Sequence, residues 1–137
     1  MLDQTHRFAG AFIIDTQQNL ILQLRDNKQG IRNPGAVSVF GGAVEAGETY
    51  VDGLVREIFE ELALKVDRHD LAFLGSEQKV ENDLSTDCEF YVLRNIDLSR
   101  CTVSEGCAIT LAPAEALGDA RMTPICTTML RKLLEII

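Results

Sequence analysis

The chain is short of positive charge. Its 13 Lys and Arg residues stand against 21 Asp and Glu, a formal net charge of −8 over 137 residues. That balance argues against a non-specific grip on DNA, RNA or an anionic membrane, whose phosphates it would repel. It does not exclude a nucleotide, because a metal ion and a few local cations can hold phosphates. No apolar run approaches the roughly 20 residues of a membrane-spanning helix. The opening Met1-Leu2-Asp3-Gln4 has neither the basic nor the apolar part of a targeting peptide, so a cytoplasmic protein is expected. None of the four cysteines, Cys88, Cys101, Cys107 and Cys126, belongs to a Cys-x-x-Cys pair, and all four read as reduced thiols. His6 and His69 sit in polar stretches with no partner for a metal site or a catalytic dyad. There is no internal repeat, low-complexity tract or linker.

What is present is the composition of a globular protein, 46% hydrophobic and 25% charged. The length fits one domain, residues 1–137, able to bury a core without disulfide or metal staples. Arg7 to Asp15 and Leu20 to Arg25 are apolar-rich runs joined by Thr16-Gln17-Gln18-Asn19, the pattern of a hairpin. Asp26 to Gly35 reads as a loop, and Val37 to Phe40 as a short strand leading to Gly41-Gly42. Strands are expected over Leu71 to Val80, Cys88 to Arg94 and Cys107 to Leu111. Polar loops are expected from Glu81 to Asp87 and from Asn95 to Gly106. Pro113 to Leu117 predicts a short helical turn, and Thr123-Pro124 opens a last helix buried through Ile125, Met129, Leu133 and Ile136, with Leu130 and Leu134 widening the stripe. Strands, helix, strands, helix fit an α/β fold, a mixed sheet with helices on both faces.

The most informative stretch is GGAVEAGETYVDGLVREIFEELAL, residues 41 to 64. Thr49 is a helix N-cap type, with Asp52 in the first turn. From Tyr50 to about Leu62, the apolar Val51, Leu54, Val55, Ile58, Phe59 and Leu62 fall on one stripe of a 3.6-residue period. Glu57, Glu60 and Glu61 stand at i, i+3 and i+4 on the opposite face, with Arg56 on its flank. Like charges so placed repel by roughly 0.2–0.5 kcal/mol per neighbouring pair. A hard dication reverses that sign, and such oxygen ligands suit Mg²⁺ or Mn²⁺. The plainer reading of three glutamates is the solvated face of an amphipathic helix. Gly41-Gly42, Glu48 and Arg56, at their spacings, weigh against it.

The spacing resembles the Nudix box, Gly-x5-Glu-x7-Arg-Glu-U-x-Glu-Glu-x-Gly-U, where U is bulky and apolar. Eight of its nine fixed positions match over 23 residues; Ala63 replaces the second glycine. The resemblance implies a Nudix-type α/β/α sandwich and metal-assisted hydrolysis of a phosphoanhydride in a nucleoside diphosphate derivative. It places the metals on Glu57, Glu60 and Glu61 and the backbone carbonyl of Gly41. Glu60 also counts among the catalytic residues. Arg56 would orient the acidic cluster and Glu48 support it. Outside the box, Glu105 is the candidate base or extra ligand, with Glu77, Glu81 and Asp87 in reserve, because EGCAITLAPAEAL resembles the family's late Glu-Gly, strand, short-helix pattern. Ahead of the box, LRDNKQGIRNPGAVSVFGG looks like a subgroup in which this loop flanks the substrate pocket. That makes Arg25 and Arg32 candidate phosphate contacts, and Phe40 could line a base pocket. The partner expected is a nucleotide-derived small molecule, not a nucleic acid polymer or a membrane; a homodimer is left open. Between Leu64 and Asp87 there is no proline or tyrosine, which disfavours the subgroups specific for ADP-ribose and diadenosine polyphosphates. The competing reading is a non-catalytic nucleotide-sensing or protein-binding domain on the same fold. Such domains usually lose box glutamates, and here all four are present.

Overall fold

The computed structural model describes residues 6–27, 30 and 34–137. Seven strands form one mixed sheet: β1 (His6–Asp15), β2 (Leu20–Leu24), β3 (Val37–Ser38), β4 (Phe40–Ala43), β5 (Ala72–Glu81), β6 (Leu84–Ile96) and β7 (Cys107–Leu111). Among the described residues, three α-helices flank it, α1 (Tyr50–Leu62), α2 (Pro113–Leu117) and α3 (Pro124–Leu134). β1 lies at the centre and pairs in parallel with β6; its other pairings, and those of β5, β3 and β7, are antiparallel.

The period-2 alternation of the strands sorts the core into two layers. Ala9, Ala11 and Ile13 of β1 and Tyr91 and Leu93 of β6 pack with Leu54, Ile58 and Leu62 of α1. Phe12, Ile14, Phe90 and Val92 turn the other way, onto Met129, Leu130 and Leu133 of α3. The result is helix, sheet, helix, as the apolar periodicities predict.

Four local readings need correction. Val37 to Phe40 is two strands, because the chain breaks at Val39: β3 stays with β2, whereas β4 crosses to pair with β1. β1 therefore holds β2 along its C-terminal half and β4 along its N-terminal half, so the sheet splits beside Val39. The expected polar loop from Glu81 to Asp87 is instead the tip of a hairpin. Asn82 and Asp83 both have positive φ, 53° and 64°, the demand of a tight turn whose twist matches its strands. Phe59 of α1 is 52% exposed and lies off the buried stripe. In α3, Ile136 lies beyond the helix and is exposed, and Cys126 joins the buried face instead.

Candidate active site

The start of α1 sets the site. Thr49 Oγ1 accepts from the Asp52 amide at 3.1 Å, capping the helix where the sequence places the cap. The turn before it is tied down by Arg7, a residue the motif does not include. Its guanidinium donates to the carbonyls of Glu45 and Glu48, each at 2.9 Å, and lies over the Tyr50 ring. At the other end Ala63 adopts the left-handed conformation, φ 53°, and its N–H donates to the Phe59 carbonyl. The alanine thus takes up the geometry for which glycine is favoured.

Arg56 does not stay on the flank of the acidic face; it knits that face together. Its Nε and Nη2 donate to Glu48 at 2.8 and 3.0 Å, a forked pair of bonds, and Nη2 also reaches the Ala43 carbonyl at 2.9 Å. Nη1 donates to Glu60 at 3.0 Å and to Glu57 at 3.3 Å. Held by Arg56 and by the Glu45 amide, the Glu48 carboxyl is lowered to about 2. Arg56 is itself raised above its ordinary value, first by its bond to Glu48.

The Glu61 carboxyl is different. Burial pushes it up to about 7, with Glu57 and Glu105 adding to the rise, while the Gly41 amide and Arg25 oppose it. The Gly41 N–H donates to Glu61 Oε1 at 2.9 Å, so the turn and the helix face meet there. Glu57 is also raised, by burial first, against the pull of Arg56. Two glycines make this approach possible. A Cβ on Gly42 would lie 2.4 Å from the Glu57 carboxylate, and one on Gly41 would lie 2.1 Å from the Ala9 carbonyl oxygen.

Glu105 is brought to the same place. Its loop is pinned to the C-terminal end of α1, where the Thr102 and Ser104 amides donate to the Leu62 and Glu61 carbonyls at 2.8 and 3.0 Å. These bonds satisfy acceptors that a helix end leaves open. Gly106, at φ 63°, lets the chain pass the Leu24 carbonyl, which a Cβ would meet at 2.4 Å. The reserve acids lie elsewhere: Glu77 and Glu81 on β5, exposed, and Asp87 on β6 beside Tyr50.

The donors here are carboxylates and backbone carbonyls, the all-oxygen set that hard dications take. Among the described residues, no group of three His, Cys, Asp or Glu side chains is close enough to enclose an ion as it stands. Arg56 Nη1 lies between Glu57 and Glu60, so a cation bound there competes with the guanidinium for both. The residues fit a metal by their chemistry and by their burial beside Gly41.

A pocket of about 150 Å³ opens at Gly41, in the split between β2–β3 and β1–β4. Gln23 of β2, Arg25 just past its end and Ser38 of β3 line one side; Phe8, Phe90 and Ile125 line the apolar part. A groove of about 360 Å³ runs between β5 and α3 and shares Lys79, Thr123 and Ile125 with it. The smaller pocket is the one that touches the acidic face, through Gly41 and Arg25. Phe40 does not line it. Its side chain is fully buried under α1 with Leu54 and Ile58, on the other side of the sheet, so the expectation of a base contact there is corrected. Arg32 lies outside the described residues.

Sequence reasoning did not pick out Gln23, Phe8, Ser38 or Arg7. For Gln23 a signal existed: a lone polar residue inside the apolar strand Leu20–Leu24, which the structure buries to 4% exposure.

A family model for the NUDIX domain matches residues 4–107. The chain belongs to the NUDIX family. It is a pyrophosphohydrolase of that family, and its four box glutamates and box arginine are those just described. Solved structures with the same fold include a MutT protein from Methanosarcina mazei Go1, TM-score 0.82 at 16% identity over 98% of each chain. A MutT NUDIX hydrolase from Burkholderia pseudomallei gives 0.76 at 20% identity, covering 95% of this chain and 98% of that one. An Ap4A hydrolase from C. elegans gives 0.72 at 14% identity, over 96% and 98%. None of the curated proteins matches the chain at the level of sequence. No helix among the described residues is long and apolar enough to cross a membrane.

Proposed function

We propose that this NUDIX protein is a Mg²⁺- or Mn²⁺-dependent hydrolase that cleaves the phosphoanhydride of a nucleoside diphosphate linked to another moiety. A nucleoside triphosphate, a nucleotide sugar and a dinucleotide all belong to that class. The observation that carries the reading is the acidic face of α1, held by Arg56, beside both Gly41 and a pocket large enough to seat part of a ligand. Glu57, Glu60, Glu61 and the Gly41 carbonyl would hold the metal. Once bound, it would supply a water of lowered pKa and neutralise charge on the phosphates. Arg56, braced by Glu48, sets the carboxylates. Glu105, whose loop is pinned to α1 and whose charge acts on Glu61, would take the proton from the attacking water. Arg25, which lines the pocket, would meet a substrate phosphate. Residues 1–137 would act as one domain in the cytoplasm, in keeping with four free cysteines.

The test is a panel of nucleoside triphosphates, nucleotide sugars and dinucleotides incubated with Mg²⁺ or Mn²⁺ and assayed for phosphate-containing products. Turnover should vanish in excess EDTA. Glu57→Gln and Glu60→Gln should each lower kcat by several kcal/mol of transition-state stabilisation, roughly 100-fold or more. Turnover that persists in EDTA, or a Glu60→Gln enzyme with near wild-type kcat, would sink the assignment. A folded protein inert toward every compound would put its substrate outside the class proposed.

A further inference from the structure

Gln23 is the one polar side chain among the described residues that is buried in the core. It stands mid-strand in β2, opposite Ser38 of β3 and Ala108 of β7. It shares its face of the sheet with Ile21 and Ala108, which belong to the layer under α1, so an aliphatic residue at 23 would be the ordinary choice for packing. A buried amide without partners costs roughly 1–3 kcal/mol. Its one protein bond among the described residues is a long one, Nε2 to the Glu105 carbonyl at 3.5 Å. A primary amide has two donors and an acceptor oxygen with two lone pairs. One donor and the oxygen therefore remain available, and Gln23 lines the pocket that opens at Gly41.

We propose that Gln23 reads the hydrogen-bonding edge of the substrate's heterocyclic base and, through the same amide, positions the Glu105 loop. The proposal rests on the hydrolase reading above. The chemistry of the pocket supports it. Phe8, partly exposed and backed by the buried Phe90 with ring centroids 6.0 Å apart, gives the pocket an apolar side for a flat ring, and Ser38 adds a hydroxyl beside the amide. A side-chain amide offers a donor next to an acceptor, the complement of a base edge, and discriminates between bases when both bonds form. The second half follows from the backbone. Glu105 sits between the α1 end, which its loop grips through Thr102 and Ser104, and Gln23, which holds its own carbonyl. A base that engages the free side of the amide orders the group that holds the loop. Gln23 is a specificity and positioning residue, not one that touches the reacting phosphorus.

The experiment measures kcat and KM for ATP, GTP, CTP and UTP and for the matching nucleoside diphosphate sugars, with Mg²⁺, on wild type, Gln23→Met and Gln23→Asn. Wild type should prefer one base or one pair of bases sharing an edge. Gln23→Met keeps the side-chain length and removes the hydrogen bonds. It should cut kcat/KM for the preferred base about tenfold or more and level the four bases. It should also lower kcat and move the acidic limb of the pH–rate profile toward that of Glu105→Gln, which a merely structural role in the pocket would not do. Gln23→Asn, with its amide retained on a shorter stem, should recover part of the base preference. An analogue of the preferred nucleotide lacking the exocyclic group of its base, tested on wild type, gives the same answer should Gln23→Met fail to fold. A Gln23→Met enzyme with unchanged base ratios and pH profile overturns the proposal while leaving the hydrolase reading intact, as does a wild type indifferent to the base or to the missing exocyclic group. A wild type that turns over no nucleotide overturns both.

Discussion

At Gly42 a single methyl group separates a working geometry from a blocked one. The hydrogen on its Cα faces the Glu57 carboxylate, and a Cβ there would sit 2.4 Å from the Glu57 Cδ. Gly42→Ala must therefore push Glu57 away from Gly41 and Glu61. The helix is left intact, since the buried Leu54, Ile58 and Leu62 that hold it to the sheet are not touched. Misplacing a group at the reacting centre by about an ångström costs on the order of 100-fold in rate. Steady-state kinetics should show that loss in kcat, with a melting temperature close to wild type. Gly42→Ala with unimpaired kcat would mean that Glu57 works from a different position. The same scale explains Gln23: the sequence marks it as a lone polar residue in an apolar strand, but not the bond that its amide nitrogen makes to the Glu105 carbonyl.

Among the elements, α1 was the most legible and the tip of the β5–β6 hairpin one of the least. A 3.6-residue stripe, a threonine cap and the spacing of Arg56, Glu57, Glu60 and Glu61 define α1 without tertiary information. Only Phe59 misled, because hydrophobicity alone does not say which side of the stripe the sheet covers. Both strands of the β5–β6 hairpin are expected from the sequence, but the tip was hidden by its own exposure: Glu81, Asn82 and Asp83 face solvent at a sheet edge, and a polar run looks like a loop. The break at Val39 was hidden for another reason: β3 and β4 part because β2 and β1 compete for them, a non-local choice. Ala63 carries an element-scale prediction. A non-glycine residue in the left-handed region costs roughly 1–2 kcal/mol, and Ala63 is exposed with φ 53°. Ala63→Gly should raise the melting temperature by roughly 3–6 °C, measured by calorimetry or circular dichroism, with little change in kcat. A fall in stability would mean that the added freedom of the unfolded chain outweighs the relieved strain.

For the whole molecule, charge is the dominant variable, at a net −8. Two carboxyls are tied to arginines strongly enough to shape acid stability. Glu48, bonded to Arg56, falls from 4.5 to about 2, and Asp119, bonded to Arg121, falls from 3.8 to about 2. The unfolded chain binds these protons first as pH drops, so the stabilisation is present above about pH 4.5 and is lost as pH falls toward 2. Thermal melts across that range should show Glu48→Gln and Asp119→Asn less stable than wild type near neutrality and converging with it near pH 2. Parallel curves at every pH would assign the effect to packing instead of ionisation.

The split in the sheet beside Val39 divides labour within the molecule. Glu57, Glu60 and Glu61 ride on one helix, answered by Gly41 from the strand that crosses to β1. Gln23 and Ser38 stand on strands across the gap, with Arg25 just past the end of β2, and their backbones owe nothing to that helix. A lineage could therefore redraw what it recognises by exchanging side chains on β2 and β3 while the bond-breaking apparatus is inherited whole. Descent with a changed diet, without rebuilt chemistry, is the freedom that a parted sheet confers.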